Sequence, residues 1–384
     1  MATDKKFTTP PPAGRASSER KPRTGWERWK YRNRDTIEGY LFLLPFLIPY
    51  LIFTLFPVMQ AGYMSLFKWD LLAMGNRSFI GLDNYIKMMW GKNIVWDLGH
   101  LLPWRLGGIA MVALSWWAVS RKRMETTTAA WITGGAIVLL GGVAGIHPAA
   151  DGGRWNDAIF WKSFGNTLQF VLLSTPLIVG IGLLTALALN GSGRLLGLFR
   201  TLFFTPYILS VSVVTLIWGY VLNPQRGILA AFLSNFGIEP IPWLTNADLA
   251  MPAIVFTTLW WTMGFNMVLF LAGLQDIEPT LYEAADLDGA GAWGKFRYIT
   301  IPGLRRTLLL VVILQVIASF QIFGQVYIMT RGGPAGSTRV LVQHIYESGF
   351  RDFSLGYASA MSIFLFFVML IISFLQLQLT QEEE

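Results

Sequence analysis

Long uncharged apolar segments alternate with short polar segments along this chain of 384 residues. Six of the apolar segments reach about 20 residues, the length of helix that crosses the hydrocarbon of a bilayer. None of the six contains Asp, Glu, Lys or Arg, and they cover residues 39–67, 165–189, 201–222, 251–275, 307–330 and 353–379. The pattern therefore predicts six transmembrane helices.

Two weaker apolar segments, residues 106–120 and 129–146, are rich in Gly and Trp and are also uncharged. Because they lie next to each other, they predict an additional transmembrane hairpin. Together with the six clear segments, they indicate an all-α membrane protein with about eight transmembrane helices.

Composition and charge agree with this class of protein. Hydrophobic residues make up 53% of the chain and charged residues 14%, whereas soluble globular proteins contain roughly 25% charged residues. Residues 1–34 contain ten Lys or Arg and three Asp or Glu, a net charge of +7. Since basic flanks stay in the cytoplasm, eight crossings place both termini and the polar segment around Glu283 on the cytoplasmic side.

Enzymatic chemistry has little support in the sequence. His100, His147 and His344 lie far apart without the spacing of metal ligands, and the chain contains no cysteine. No nucleophile motif is present either. We therefore expect a protein that is not an enzyme and has no metal site and no cofactor.

One glycine-rich segment partly matches the sequence pattern of a nucleotide-binding loop. Residues 289–295 fit much of the Walker A pattern, but Phe296 stands where that loop needs a Ser or Thr hydroxyl for magnesium. The string also follows a predicted helix rather than a strand, with Thr280 expected to cap that helix and to form a capping box with Glu283. If ATP drives this protein, another chain hydrolyses it.

The polar segment itself reads EAADLDGAGAWGKFRYITIP from Glu283 to Pro302. A short helix is expected to end at Gly289, which suits a left-handed turn, and a second helix is expected to stop at Pro302. Two small residues, Ala284 and Ala285, would let a neighbouring surface approach closely, and Glu283 would offer it a carboxylate. For a lone Glu-Ala-Ala, an ordinary solvated loop would be the better interpretation.

The full string resembles the EAA loop in the permease subunits of ATP-binding cassette (ABC) importers. The resemblance rests on six residues at family spacing, Glu283, Ala284, Ala285, Gly289, Ile299 and Pro302, and departs only at Ile301, where Leu is more usual. Further landmarks look like those of the carbohydrate-uptake branch, typified by the larger maltose permease subunit: residues 81–85, 160–163, 166–167, 332–334 and 356–360.

This resemblance implies a type I ABC importer permease fold in a bacterial or archaeal cytoplasmic (inner) membrane. It implies a sugar as substrate, a second homologous permease subunit, two ATPase subunits that contact the six-residue set, and an extracytoplasmic solute-binding protein. Membrane lipid is expected around the helices, and no nucleic acid. Alternatives are an ion-coupled secondary transporter, disfavoured because the spans lack the ionisable groups such carriers use, and a non-transporting membrane assembly subunit.

The chain departs from the family between Trp90 and Trp155, where the additional hairpin is inserted into one outer loop. The expected organisation is a basic cytoplasmic tail at 1–36, a first transmembrane helix and outer loop at 37–90, and the inserted hairpin at 91–156. The permease core follows at 157–384, with the cytoplasmic coupling loop at 276–306.

Polar and aromatic residues inside two spans suggest where a sugar could bind. Gln315 and Ser319 share a helical face, and Gln321 and Gln325 share another. Trp261 and Phe265 lie on the preceding span, and the resemblance places sugar contacts near residues 258–265 and 315–322. We expect a neutral di- or oligosaccharide to contact Trp261, Phe265, Gln315 and Ser319.

Overall fold

The computed structural model describes residues 34–72, 77–90, 94–96, 102–121, 126–136, 146–148 and 157–381. Nearly all of the predicted basic tail, residues 1–33, lies outside them. The chain divides into two compact units, Met1–Gln60 and Ala61–Glu384. The first unit contains α1 (Arg34–Tyr50), a π-helical turn π1 (Leu51–Leu55) and the start of α2 (Phe56–Ser65).

The second unit contains the remaining elements. Its helices before the Glu283 segment are α3 (Asp83–Trp90), α4 (Leu102–Ser120), α5 (Thr126–Ala136), α6 (Ala158–Ala188), α7 (Arg194–Ile208), α8 (Val211–Val221), α9 (Ile228–Ser234) and α10 (Ala247–Gln275). From that segment onward they are α11 (Pro279–Leu287), α12 (Ala292–Lys295), π2 (Phe296–Thr300), α13 (Ile301–Gly303), α14 (Arg305–Phe320), α15 (Gly324–Met329), α16 (Leu341–Tyr346), π3 (Glu347–Arg351) and α17 (Leu355–Gln381).

Two short antiparallel ribbons complete the described secondary structure. In the first, β1 (Phe67–Lys68) pairs with β2 (Ser78–Phe79), with Phe67 opposite Phe79. In the second, β3 (Ile94–Trp96) pairs with β4 (Ile146–Pro148), with Val95 opposite His147. The fold is therefore overwhelmingly helical, as the sequence predicts.

Four of the six clear spans are found as single helices long and apolar enough to cross a membrane: Gly39–Ser65, Ala158–Ala188, Ala247–Gln275 and Leu355–Gln378. The predicted span 201–222 is a bent pair, α7 with α8 at 101°. The predicted span 307–330 is divided into α14 and α15, and α14 forms its bent pair with the preceding stretch Ala292–Gly303, at 67°. The described part of the chain thus has four spans, or six if each bent pair counts as one.

The two weaker segments are not among the helices that are long and apolar enough to cross a membrane. Helix α4 covers the first of them, but its tryptophans and Arg105 lower its mean hydropathy, and it is not among the four helices. Helix α5 ends at Ala136, and residues 137–145 of the second predicted span lie outside the described residues. The count of eight remains a prediction.

The core forms where α6, α10 and α14 meet. One buried cluster joins Ala186 of α6 and Phe270 of α10 to Leu304 and Val311 at the start of α14. Helices α7 and α10 approach closely at Gly264, where a Cβ atom would lie 2.0 Å from the backbone oxygen of Phe203. Small residues permit such close contact between membrane helices.

Several landmark residues hold one end of the bundle together. The Asn84 side chain donates to the backbone oxygens of Ser65 (2.7 Å) and Phe67 (3.0 Å). Gly356 lies against the same segment, since an added Cβ would be 2.1 Å from the Phe67 oxygen. Asp157 caps α6 and accepts a 2.5 Å hydrogen bond from the Tyr357 hydroxyl. These landmarks therefore have a structural role, whatever else they do.

Replacing Gly264 by Ala should destabilise the protein because the new methyl group would collide with the backbone of α7. Overpacking of this kind costs about 1–3 kcal/mol, which should lower the midpoint of thermal unfolding in detergent. Gly219→Ala is the matched control, because nothing lies within 4 Å of a Cβ there and Ala favours helix over Gly. Equal midpoints for the two variants would contradict the close approach.

Candidate functional site

The Glu283 segment folds into two short helices joined by a tight turn. Helix α11 ends at Leu287, and Gly289 adopts the left-handed conformation predicted for it (φ +74°). The Ala290 N–H then donates to the Ala285 oxygen (2.9 Å), which satisfies a carbonyl at the helix end. Helix α12 begins at Ala292.

Two details of this segment differ from the prediction. The N-cap of α11 is Glu278, with Pro279 in the first turn, and the Thr280 hydroxyl donates to the Glu278 carboxylate at 3.4 Å instead of capping the helix. Pro302 also does not stop the second helix. The turn π2 shifts the pairing by one residue, so that the Ile301 N–H donates to the Phe296 oxygen. Pro302 thereby falls in the first turn of α13, where its missing N–H is tolerated.

The segment exposes large apolar side chains beside its polar ones. Leu287 is 90% exposed, Trp293 70% and Tyr298 75%. Glu283 and Ala284, about one turn before Leu287 on α11, are exposed as well. Clustered apolar exposure of this kind marks an interaction surface on a protein. We call these five residues the loop surface.

The loop is tied to the membrane core at its base. The Tyr282 hydroxyl lies 3.0 Å from the Thr300 hydroxyl, which joins α11 to π2, and Lys295 forms an ion pair with Asp286. Ile299 packs against the buried cluster that contains Leu304. Of the six predicted coupling residues, Glu283, Ala284, Gly289 and Pro302 are exposed, whereas Ala285 and Ile299 are partly buried.

A second site lies within the helical core as a cavity of about 260 Å³. It is lined by uncharged polar and apolar residues: Phe170, Tyr207, Thr258, Trp261, Thr262, Phe265, Asn266, Leu314, Gln315, Ala318, Ser319, Gln321, Ile322 and Gln325. All four residues predicted to contact a sugar are among them. The structure thus brings these four together, although they come from two separate helices.

A chain of hydrogen bonds crosses one wall of the cavity. The Asn266 amide donates to Gln315 Oε1 (3.2 Å), and Gln315 Nε2 donates to the Ser319 hydroxyl (3.1 Å). Ser319 in turn lies 3.1 Å from the Ser174 hydroxyl on α6. Gln315 and Ser319 are therefore engaged within the protein, and their remaining hydrogen-bonding capacity is what a ligand could use.

Aromatic rings form another wall. Tyr207 stacks on Phe265 with ring centroids 4.8 Å apart and an interplanar angle of 15°. The Trp261 indole N–H donates to the Leu209 oxygen (3.1 Å), at the bend between α7 and α8. This contact satisfies a carbonyl freed by the bend and fixes the indole ring beside the cavity.

Sequence reasoning missed some lining residues and misjudged one helix. Tyr207 and Phe170 come from α7 and α6, where an aromatic residue in an apolar segment carries no signal of its own. Gln321 and Gln325 do not share a helical face, because α14 ends at Phe320 and α15 starts at Gly324. Both still line the cavity, since the break between the two helices lies there.

No His, Asp, Glu, Lys or Arg side chain is among the residues that line the cavity. No cluster of three or more His, Asp or Glu side chains that could hold a metal ion is found among the described residues. His344 is buried in α16, and this burial lowers the pKa of its imidazole below the usual 6.5. The imidazole is therefore neutral at pH 7.

Comparison with known proteins gives a family match. Residues 178–382 match the model of the binding-protein-dependent transport system inner membrane component. The lactose transport system permease protein of Rhizobium radiobacter is 36% identical over 236 residues, which cover 60% of this chain and 79% of that protein. The trehalose/maltose transport system permease protein of Thermococcus litoralis is 28% identical over 344 residues, which cover 89% and 92% of the two chains.

A solved structure has the same fold. The crystal structure of a bacterial ABC transporter involved in the import of the acidic polysaccharide alginate contains a chain that superimposes with a TM-score of 0.65. The sequences are 20% identical, and the match covers 92% of this chain and 98% of that one. A second structure of the alginate transporter, in complex with an alginate pentasaccharide-bound periplasmic protein, matches with the same TM-score.

Replacing Gln315 by Leu should destabilise the protein, because it removes the acceptor for Asn266 and the donor to Ser319. Loss of these buried bonds should cost about 0.5–2 kcal/mol, measured from the midpoint of thermal unfolding in detergent. Gln321→Leu serves as control, since Gln321 lines the same cavity but is exposed and makes only a 3.9 Å contact with the Met369 sulfur. Equal losses in both variants would count against the network.

Proposed function

Because this chain belongs to the family of binding-protein-dependent transport system inner membrane components, we propose that its loop surface docks an ATPase and that its cavity passes a neutral sugar. The chain is a permease subunit of an ABC importer of the sugar-uptake type and is a transporter component rather than an enzyme. It works in the cytoplasmic membrane with both termini inside. It pairs with a second homologous permease, two ATPase subunits and an extracytoplasmic solute-binding protein.

The observation that carries the proposal for the loop is its apolar exposure. Exposure of Leu287, Trp293 and Tyr298 to water is unfavourable, and Leu287 lies one helical turn after Glu283 on α11. A stable protein–protein interface combines large apolar side chains, which become buried on docking, with charged or polar groups. The ATPase surface that fits this patch has an apolar cleft and an Arg or Lys opposite Glu283.

The base of the loop supports a role in transmitting movement. Because Tyr282 is bonded to Thr300 and Ile299 packs on the buried cluster, a force on α11 reaches π2 and the start of α14. The 67° bend before α14 lies directly after this connection. ATP-driven closure of the ATPases would then tilt α14 relative to its neighbours and open the cavity alternately to the two sides.

The cavity supports a neutral, hydroxyl-rich solute. Its wall combines amide and hydroxyl groups with aromatic faces, and no charged side chain lines it. Sugar hydroxyls can pair with Gln315 and Ser319, while the C–H faces of the ring stack on Phe265 or Trp261. The named relatives carry lactose and trehalose or maltose. An acidic polysaccharide such as alginate would need a cation that this wall does not provide.

Reversing the charge of Glu283 tests the docking role. Glu283→Lys should abolish uptake and co-purification of the ATPase, because the new ammonium would face a basic group on the partner. Glu283→Gln keeps the size and should lose less. Uptake of radiolabelled sugar and ATPase recovery are measured together, with permease levels in the membrane as the folding control. Normal uptake by Glu283→Lys would refute the assignment.

The aromatic wall of the cavity has its own test. Phe265→Leu keeps an apolar side chain but removes the flat ring that stacks on Tyr207. The KM for uptake should rise about three- to tenfold, the equivalent of one lost stacking contact. Phe256→Leu on the same helix is the control, because Phe256 lies outside the cavity and is exposed. An unchanged KM in Phe265→Leu would remove this ring from the sugar route.

A further inference from the structure

The inserted segment between α3 and α6 contains a short β-ribbon and two helices. It starts and ends in the ribbon of β3 and β4, and β4 packs against α3. Beyond the ribbon, α4 and α5 pack on each other, and the Trp116 indole N–H donates to the Thr133 hydroxyl (2.9 Å). The two helices therefore form a hairpin whose base is closed by the ribbon.

Helix α4 exposes apolar side chains around most of its circumference. Ile109, Leu114 and Met111 are all exposed, and at 100° per residue they cover an arc of about 200°, more than half of the helix circumference. The buried positions, Arg105, Gly108 and Ser115, form one narrow stripe. A helix that is apolar nearly all round lies within a protein core or in a membrane. A docked protein partner would cover one face of α4, whereas lipid would cover all of these sides.

The length and ends of α4 fit a bilayer. Its 19 residues span about 28 Å at 1.5 Å per residue, close to the thickness of the hydrocarbon. Trp104 lies near one end and Trp116 and Trp117 near the other, as in the aromatic belts of membrane helices. The Arg121 guanidinium lies 5.4 Å from the centre of the Trp117 ring. Lys122 and Arg123 follow in sequence, so basic charge gathers at this end.

The modest hydropathy of α4 does not contradict this arrangement. The residues that lower its mean hydropathy are its three tryptophans, which are favourable at the membrane interface, and Arg105. Arg105 lies in the first turn and is only 9% exposed. Because β4 pairs with β3, the chain returns after α4 to the side from which α4 starts.

We propose that α4 and α5 belong to a transmembrane hairpin and that the exposed faces of α4 contact lipid. The ribbon of β3 and β4 lies on the outer surface, and Arg121 lies among the anionic headgroups of the cytoplasmic leaflet. This inference goes beyond the transport function and does not depend on it. It places the inserted segment in the membrane and identifies lipid as what covers the apolar surface of α4.

Single cysteine substitutions locate the turn between α4 and α5, because the chain has no cysteine of its own. A membrane-impermeant maleimide is added to intact spheroplasts that express the full complex. Ser78→Cys on β2 should be labelled, whereas Ser120→Cys and Asp288→Cys should be labelled only after the membrane is opened. Labelling of Ser120→Cys in intact spheroplasts, or from neither side, would overturn the proposal. Labelling of Asp288→Cys in intact spheroplasts would instead overturn the proposed coupling loop.

A spin label identifies what covers the exposed faces. Leu114→Cys is labelled in the complex, which is reconstituted in vesicles of phosphatidylethanolamine and phosphatidylglycerol. A lipid-facing label should collide often with oxygen and rarely with a soluble nickel chelate. Rare collisions with both reagents would indicate a protein partner, and frequent collisions with nickel would indicate water; either result overturns the proposal. Ser115→Cys, which is 4% exposed, is the matched control and should be shielded from both.

Discussion

A polar group inside hydrocarbon has to find its partner within the protein, and this constraint governs the core of the permease. Three threonines of α10, Thr257, Thr258 and Thr262, return their hydroxyls to the backbone oxygen four residues earlier. The Asn266 amide also donates to the backbone oxygen four residues earlier, that of Thr262 (3.3 Å), and in addition it donates to Gln315 across two helices (3.2 Å). The same bonds that satisfy the polar groups therefore fix how α10 and α14 face each other.

The constraint also explains where the helices can break. At the 101° bend between α7 and α8, the Leu209 oxygen is satisfied by the Trp261 indole, and the Ser210 hydroxyl accepts from the Val213 N–H (3.4 Å). A second break, between Phe320 and Gly324, is flanked by Gln321 and Gln325, which line the cavity. Irregular backbone at membrane depth is tolerated where it is buried or lines a cavity. The two breaks and the cavity are thus parts of one arrangement.

The sequence predicts the features that rest on composition or on one unusual residue. The six clear spans follow from uninterrupted apolar length, and the turn at Gly289 follows from the conformational freedom of glycine. Residues such as Gln315 were found because an amide is conspicuous in an uncharged segment. The turn π2 could not be predicted, since a one-residue shift in pairing leaves no pattern. Tyr207 was missed because its role depends on stacking against Phe265, which only the packing of α7 on α10 creates.

The same two helices connect the loop to the cavity. Helix α10 carries Phe265 in the cavity wall and, about 13 Å further along, Leu274 in the cluster beneath the loop. Helix α14 starts next to Leu304 in that cluster and carries Gln315 in the opposite wall. Because protein cores are close-packed and resist local compression, a shift of the loop base moves these helices as bodies. A movement that separates α10 from α14 must also stretch the bond between Asn266 and Gln315. The polar network that holds α10 to α14 would therefore have to rearrange in any such movement.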